Sequence, residues 1–285
     1  PGNQTLPELY RNVANERDFY GFMAADYLAQ PYHIDHRPAV IAPSVAEKVR
    51  RTPGIQRAIE LNALGQTADG RREWYHASRQ FDRDALIAQA RLGYNMGWYF
   101  PAIRTISQAR YWDDLDVRFP VVHRDTFARE ANTRGISPTW AFAITRQESG
   151  FMSDARSGVG AMGLMQLMPD TARETARKFS IPLRSPQQTL DPEVNIQLGA
   201  AYLSQVYRQF DSNRILASAA YNAGPGRVRQ WLRDGNAQPV DVWIETIPFD
   251  ETRQYVQNVL SYAVIYGEKL GNPQKLIEPH EYARF

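Results

Sequence analysis

The chain has 285 residues, of which 43 % are hydrophobic and 22 % charged, a globular composition with enough length to bury a sizeable core. Its 33 Lys and Arg against 31 Asp and Glu leave a formal charge of +2, too small a bias for a dedicated nucleic-acid binder. Cysteine is absent, which removes disulfides, thiolate metal sites and a cysteine nucleophile together, and no apolar run approaches the roughly 18 residues of a membrane span.

The chain opens at Pro1-Gly2-Asn3, without an initiator Met or a charged-then-apolar leader, and is expected to be a processed or trimmed product. From Pro7 to Gln30 apolar and aromatic residues recur at helical spacing (Leu9, Val13, Phe19, Phe22, Met23, Ala25, Tyr27), which predicts one helix stopped by Pro31. A Pro-rich connector follows to Pro43, and Ser44 is the expected cap of a helix through Arg51. Helices are predicted over 55–64, with Gly65 as its stop, and over 66–80 and 82–93, as hairpins able to stack into an α-solenoid. His33 and His36 flank Asp35 at i, i+3 spacing, but in a Pro-bounded connector this reads as a solvated loop ahead of a metal site.

The character changes at Tyr111-Trp112-Asp113-Asp114 and Phe119-Pro120, which places a domain boundary near residue 119. Helices are predicted beyond it over 124–134, 138–149, 170–179, 192–210, 213–222, 225–234 and 250–268, with one short strand-like piece around Leu164 to Met168.

Ser137-Pro138 is a strong helix start. Trp140, Ile144 and Glu148 then follow at intervals of four and share one face, so Glu148 continues an apolar stripe. It also stands in the last turn, where the helix dipole disfavours an anion, and both influences raise a carboxyl pKa toward the range a general acid needs. From position alone, a structural pairing with Arg146 or a backbone donor takes precedence over that functional reading.

Residues 158–163 match G-x-G-x-x-G, but a helix precedes them where a dinucleotide site requires a strand, and residue 183 is Leu where an acid is expected. The segment reads instead as a glycine-shaped wall beside Glu148, with Gln166 offering an amide and Met165 and Met168 an adaptable apolar surface. Ala220-Tyr221-Asn222-Ala223-Gly224 closes one helix, where Tyr and Asn suit a polar ring-shaped substrate. Glu251-Thr252-Arg253 opens the last long helix, and Tyr255, Val259, Tyr262 and Tyr266 form a stripe on it that reads mostly as core.

In order and spacing, E-S-G at 148–150, G-L-M-Q-L-M-P at 163–169, A-Y-N-A-G at 220–224 and I-P-F-x-E-T-R-x-Y-V at 247–256 resemble the catalytic domain of the soluble lytic transglycosylases. The segment Phe19-Tyr20-Gly21-Phe22-Met23-Ala24-Ala25 and the helices around 55–93 are similar to the end of that family's helical ring and to its linker domain. The resemblance implies a mainly α fold. A lysozyme-like catalytic domain with a small β element spans 119–285, a helical linker 41–118, and a remnant of an α-superhelical ring 1–40, most of the ring being missing. It implies non-hydrolytic cleavage between N-acetylmuramic acid and N-acetylglucosamine in peptidoglycan, giving 1,6-anhydro products. Glu148 is the implied single acid/base, helped by the substrate's N-acetyl group. Ser157, Gln166, Met168, Tyr221 and Asn222 match glycan-contacting or orienting positions, and Glu251 and Tyr255 match substrate-facing ones, with packing and capping as their alternative. The nearest other acids, Asp154 and Asp170, lie outside the motifs. No metal or cofactor is implied. The expected partners are peptidoglycan strands, without nucleic acid or a membrane span, in a monomer of the Gram-negative periplasm. Any partner in cell-wall synthesis or division is left unnamed by the sequence. A goose-type hydrolytic muramidase and a non-catalytic peptidoglycan-binding scaffold stay open as alternatives.

Overall fold

A computed structural model describes residues 5–234 and 238–282, the side chain of Asp234 excepted. The chain divides into two compact units. One gathers residues 1–34, 123–149 and 153–285; the other gathers 35–122 and 150–152.

The expected first helix is two. Helix α1 (Leu6–Val13) and α2 (Phe19–Tyr27) are separated because Asp18 accepts the Gly21 N–H at 2.8 Å and so starts a new helix. Gly21 is required there, since a Cβ would stand 2.0 Å from the Glu16 carbonyl oxygen.

Six helices build the second unit: α3 (Pro43–Arg51), α4 (Pro53–Ala63), α5 (Thr67–Ser78), α6 (Arg83–Asn95), α7 (Tyr99–Gln108) and α8 (Leu115–Arg118). Ser44 is not the cap of α3; Ala42 holds that position and Pro43 occupies the first turn. Trp74 is fully buried among Val49, Ile55 and Ala58, and its indole N–H donates to Thr105 Oγ1 at 3.0 Å. Helix α7 is not among the expected elements; Pro101 lies two residues inside it, a position in the first turn that a helix tolerates. His33 and His36 are exposed in the irregular connector, as expected, and His36 is hydrogen-bonded there. Its Nδ1 accepts the Leu115 N–H at 3.2 Å and its Nε2 lies 3.3 Å from Asp116.

The first unit continues with α9 (Arg124–Arg134), α10 (Pro138–Glu148), α11 (Pro169–Phe179), α12 (Pro192–Gln209), α13 (Arg214–Ala223), α14 (Pro225–Asp234), α15 (Val240–Glu245) and α16 (Asp250–Leu270). Helix α10 packs chiefly on α16, with Phe142 between Phe127 at 4.4 Å and Tyr266 at 5.1 Å. Ser137 stands at the N-cap of α10 without capping a backbone N–H; its hydroxyl accepts from Gln274 at 2.9 Å. The strand-like piece at 164–168 is only a pair of isolated antiparallel bridges, Arg156 to Met162 and Met162 to Leu167.

The start of α13 is fixed to the far end of the chain by a buried ion pair. Arg214 Nε and Nη2 donate to the two Glu281 carboxylate oxygens at 2.8 and 2.7 Å, and the Arg214 backbone N–H adds a third bond at 2.9 Å. Both side chains are at most 5 % exposed, so removing one leaves the other charge uncompensated. Glu281→Ala is therefore expected to lower stability by about 3–5 kcal/mol in denaturant unfolding, and Glu281→Gln by less.

Candidate active site

Helix α10 ends at Glu148, with Trp140 and Ile144 fully buried on the same face. The stripe that carries Glu148 is thus a core stripe, and the carboxyl emerges from it at the helix terminus, half-buried. Gly150, at φ +56°, then turns the chain away.

The partner of Glu148 is Tyr255, not Arg146. Tyr255 lies in the second turn of α16, is 3 % exposed, and donates its phenol O–H to Glu148 Oε1 at 2.6 Å. The Arg146 guanidinium lies over the Tyr262 ring, 5.2 Å from its centroid. Burial pushes the Glu148 carboxyl up to about 7, against the Tyr255 hydrogen bond that stabilises the anion, and the Glu251 carboxylate adds to the rise. The acid that bears on Glu148 is therefore Glu251, from the exposed first turn of α16, rather than Asp154 or Asp170. The Tyr255 and Tyr221 phenols are driven far above their usual value, by burial first and then by the charge of Glu148, so both stay neutral donors.

The ends of α13 and α16 are tied at the same place. Thr252, buried, donates its hydroxyl to Asn222 Oδ1 at 2.7 Å, which orients the Asn222 amide. Tyr221 packs on Tyr202, ring centroids 5.3 Å apart, and donates to the Met165 carbonyl at 2.8 Å. Through that bond Tyr221 reaches the segment 155–168, which holds Gln166 and Met168. Gln166 adopts φ +47°, a strained backbone for this residue type, and its amide N–H group donates to the carbonyls of Gly163 at 2.8 Å and Ala155 at 3.3 Å. Met168 precedes α11 and is 41 % exposed, an apolar surface facing solvent. The Ser157 hydroxyl accepts the Ala161 N–H at 2.9 Å and so shapes the same loop.

A residue outside all of the sequence motifs holds this loop in place. Asn195, fully buried in α12, accepts the Met165 N–H at 2.7 Å and donates to the carbonyls of Thr189 and Met162 at 2.7 and 3.0 Å. Gly163, at φ +78°, lets it approach, since a Cβ would stand 2.3 Å from the Asn195 amide nitrogen. A lone amide on the interior face of an otherwise apolar helix was the available signal. Ser149 adds a second anchor by donating to the Leu164 carbonyl at 2.7 Å. Among the described residues no group of three His, Cys, Asp or Glu is placed to hold a metal ion, and no helix is long and apolar enough to cross a membrane.

Comparison with known proteins places these motifs in context. The transglycosylase SLT domain matches residues 125–244, the soluble lytic murein transglycosylase L domain residues 48–115, and the soluble lytic transglycosylase helical domain residues 246–275. The soluble lytic murein transglycosylase of Salmonella typhimurium is 40 % identical over 282 residues, which are 97 % of this chain and 43 % of that protein. A solved structure of an inactive mutant of the lytic transglycosylase Slt from Pseudomonas aeruginosa is 65 % identical, with TM-score 0.95, over 99 % of this chain and 46 % of that one. The 70 kDa soluble lytic transglycosylase of Escherichia coli is 37 % identical, with TM-score 0.90, over 98 % of this chain and 45 % of that one. The chain thus spans less than half the length of these relatives. The fold is mainly helical and lysozyme-like, as expected.

The raised carboxyl has a consequence for stability. In the unfolded chain Glu148 ionises near 4.5, and in the folded protein near 7. Below both values the carboxyl is neutral in both states and costs nothing. As pH rises through this window the unfolded state gains the ion first, and above about 7 the folded state bears the full penalty. Glu148→Gln is therefore expected to stabilise the fold by about 1–3 kcal/mol at pH 8 and to be nearly neutral at pH 4, as read from unfolding curves at the two pH values.

Proposed function

We propose that this chain, which carries the SLT domain and the L domain of the soluble lytic transglycosylases, is the catalytic portion of such an enzyme. It cleaves the MurNAc-(β1,4)-GlcNAc bond of peptidoglycan without water and releases 1,6-anhydromuropeptides. The observation that carries this reading is the single half-buried carboxyl at the end of α10, raised to about 7 and held by Tyr255.

A carboxyl with that pKa is protonated on a large fraction of molecules at neutral pH, and its anion is a competent base moments later. Glu148 gives its proton to the glycosidic oxygen as the bond to the muramoyl C1 breaks, with the substrate's N-acetyl oxygen supporting C1. The resulting carboxylate takes the proton of the muramoyl C6 hydroxyl, whose oxygen closes on C1 and displaces the acetamido group. The proton lost in the first step is regained in the second, and no water is consumed. Tyr255 is already donating to Glu148 Oε1 and stabilises the carboxylate between the two steps.

The surrounding residues take roles consistent with their placement. Tyr221 and Asn222 at the end of α13, with Gln166 and Met168 on the loop before α11, bind the sugar rings. Ser157 shapes the glycine loop and orients the glycan beside it. Glu251, exposed at the start of α16, faces the substrate and keeps Glu148 protonated by its charge. Residues 119–285 form the catalytic domain in this reading, 41–118 the linker and 1–40 the end of a helical ring. The protein works as a monomer in the periplasm, where its substrate lies.

Purified sacculi digested with the protein are expected to release muropeptides lighter by one water than hydrolytic products and lacking a reducing end, as read by mass spectrometry. Reducing muropeptides of full mass would make it a hydrolase instead. Glu148→Gln is expected to lower the cleavage rate at least about a hundredfold while glycan binding persists. The wild-type rate is expected to fall as pH rises through about 7, where the acid form of Glu148 is lost.

A further inference from the structure

Helices α10 and α13 carry two parts of the site at their C-terminal ends, Glu148 on one and Tyr221 with Asn222 on the other. Both pack on α16, which meets them at that end through Tyr255 and Thr252. The two helices are also joined to each other at two levels below the site, by groups that touch none of these residues. The upper joint is one buried hydrogen bond. The Trp140 indole N–H donates to Ser218 Oγ at 3.0 Å, and both residues are fully buried. Trp140 lies about two turns before Glu148, and Ser218 about one turn before Asn222, which is about 12 and 6 Å along the helix axes. The indole is itself held against the Tyr207 ring, with centroids 5.2 Å apart.

The lower joint is Gln274, from the segment after α16. Its amide N–H group donates to Ser137 Oγ at the start of α10 at 2.9 Å, and its carbonyl oxygen accepts from Arg214 Nη1 at the start of α13 at 3.3 Å. Neither partner depends on Gln274 for a hydrogen bond. Arg214 is paired with Glu281, and the Ser137 hydroxyl also meets Thr139 Oγ1 at 2.7 Å. What Gln274 adds is the link between the two helix starts. Helices joined at a single level can pivot about it, whereas a second joint removes that freedom. A pivot of about 5° over about 12 Å displaces the carboxyl by about 1 Å, enough to slow a positioned proton transfer many-fold.

We infer that Trp140, Ser218 and Gln274 are positioning residues for the cleavage step: their two joints fix the spacing between Glu148 on α10 and the sugar-binding pair Tyr221 and Asn222 on α13, and so place the acid against the glycosidic oxygen of a bound strand. This rests on the proposed cleavage of peptidoglycan and extends it to groups remote from the substrate. Binding draws on α13 and the loop before α11, whereas proton transfer also needs α10 at a fixed distance from them. Loosening either joint therefore slows the step and leaves affinity in place.

The test measures kcat and KM on soluble peptidoglycan strands, with the whole protein, at a temperature where unfolding curves show each variant folded. Trp140→Phe and Ser218→Ala each remove the upper joint. Gln274→Met removes the lower one with a side chain of similar length, at a half-buried position outside the core, and keeps the test decisive if the core variants do not fold. Each folded variant is expected to lose about five- to tenfold in kcat with KM within about twofold of wild type. Trp140→Phe combined with Ser218→Ala is expected to lose no more than the worse single variant. A wild-type kcat in Gln274→Met, or a loss carried by KM, overturns the inference. A second readout is independent of cleavage. The ¹³C resonance of the Glu148 carboxyl reports where α10 ends, since burial sets its midpoint near 7, with Tyr255, Tyr221 and Glu251 as the titratable groups that bear on it. Loosening α10 admits water and lowers that midpoint. A midpoint lower by at least about half a pH unit in Gln274→Met supports the joints even if the wild type proves not to cleave; an unmoved midpoint overturns them even if it does.

Discussion

Everything proposed for this protein depends on one carboxyl being kept half out of water. Glu148 sits where an apolar helix stripe meets the surface, and burial outweighs the one hydrogen bond that favours its anion. Had the Tyr255 phenol been joined by a cation, the carboxyl would ionise like an ordinary glutamate and lose its proton-donating capacity at neutral pH. Instead, its electrostatic neighbour is Glu251, of like charge, and Arg146 is turned aside onto the Tyr262 ring. The arrangement trades stability above pH 7 for a group that can both give and take a proton.

The rest of the unit holds the walls around that carboxyl. Helix α16 supplies Tyr255 and, through Thr252, sets the Asn222 amide at the end of α13. Helix α12 supplies Asn195, which bonds Met162 and Met165 and ties that loop to the Thr189 carbonyl, beside a strained Gln166. Tyr221 connects the two by bonding the Met165 carbonyl. No wall is built from a single element. Each is tied by hydrogen bonds from a helix to a helix or loop distant in sequence, which is the form of preorganisation a site needs to keep geometry within fractions of an ångström.

Much of this was legible in the sequence because it is local. The spacing of Trp140, Ile144 and Glu148 fixed the face of the carboxyl, and its position before Gly150 fixed its place at a helix end. The four motifs marked the segments that converge. What the sequence could not express was pairing across long separations. Tyr255 read as a member of a core stripe because its alternation with Val259 and Tyr262 is helical, and nothing local says that its hydroxyl meets a residue 107 positions earlier. Asn195 was passed over for the same reason, its partners lying on a different segment. Ser44 shows the converse error, a residue with good local capping propensity that yielded to Pro at the first turn, whereas Ser137 stands at the N-cap as expected and only its hydroxyl is turned to a tertiary partner, Gln274.

The Glu148 carboxyl is expected to stay largely protonated up to neutral pH, and titration of that one group tests this. The protein labelled with ¹³C at glutamate side-chain carboxyls, compared with Glu148→Gln to identify the resonance, reports the protonation of Glu148 without substrate. A midpoint near 7 is expected. A midpoint near 4.5, with the carboxyl ionised throughout the neutral range, would contradict it and leave the site without its acid.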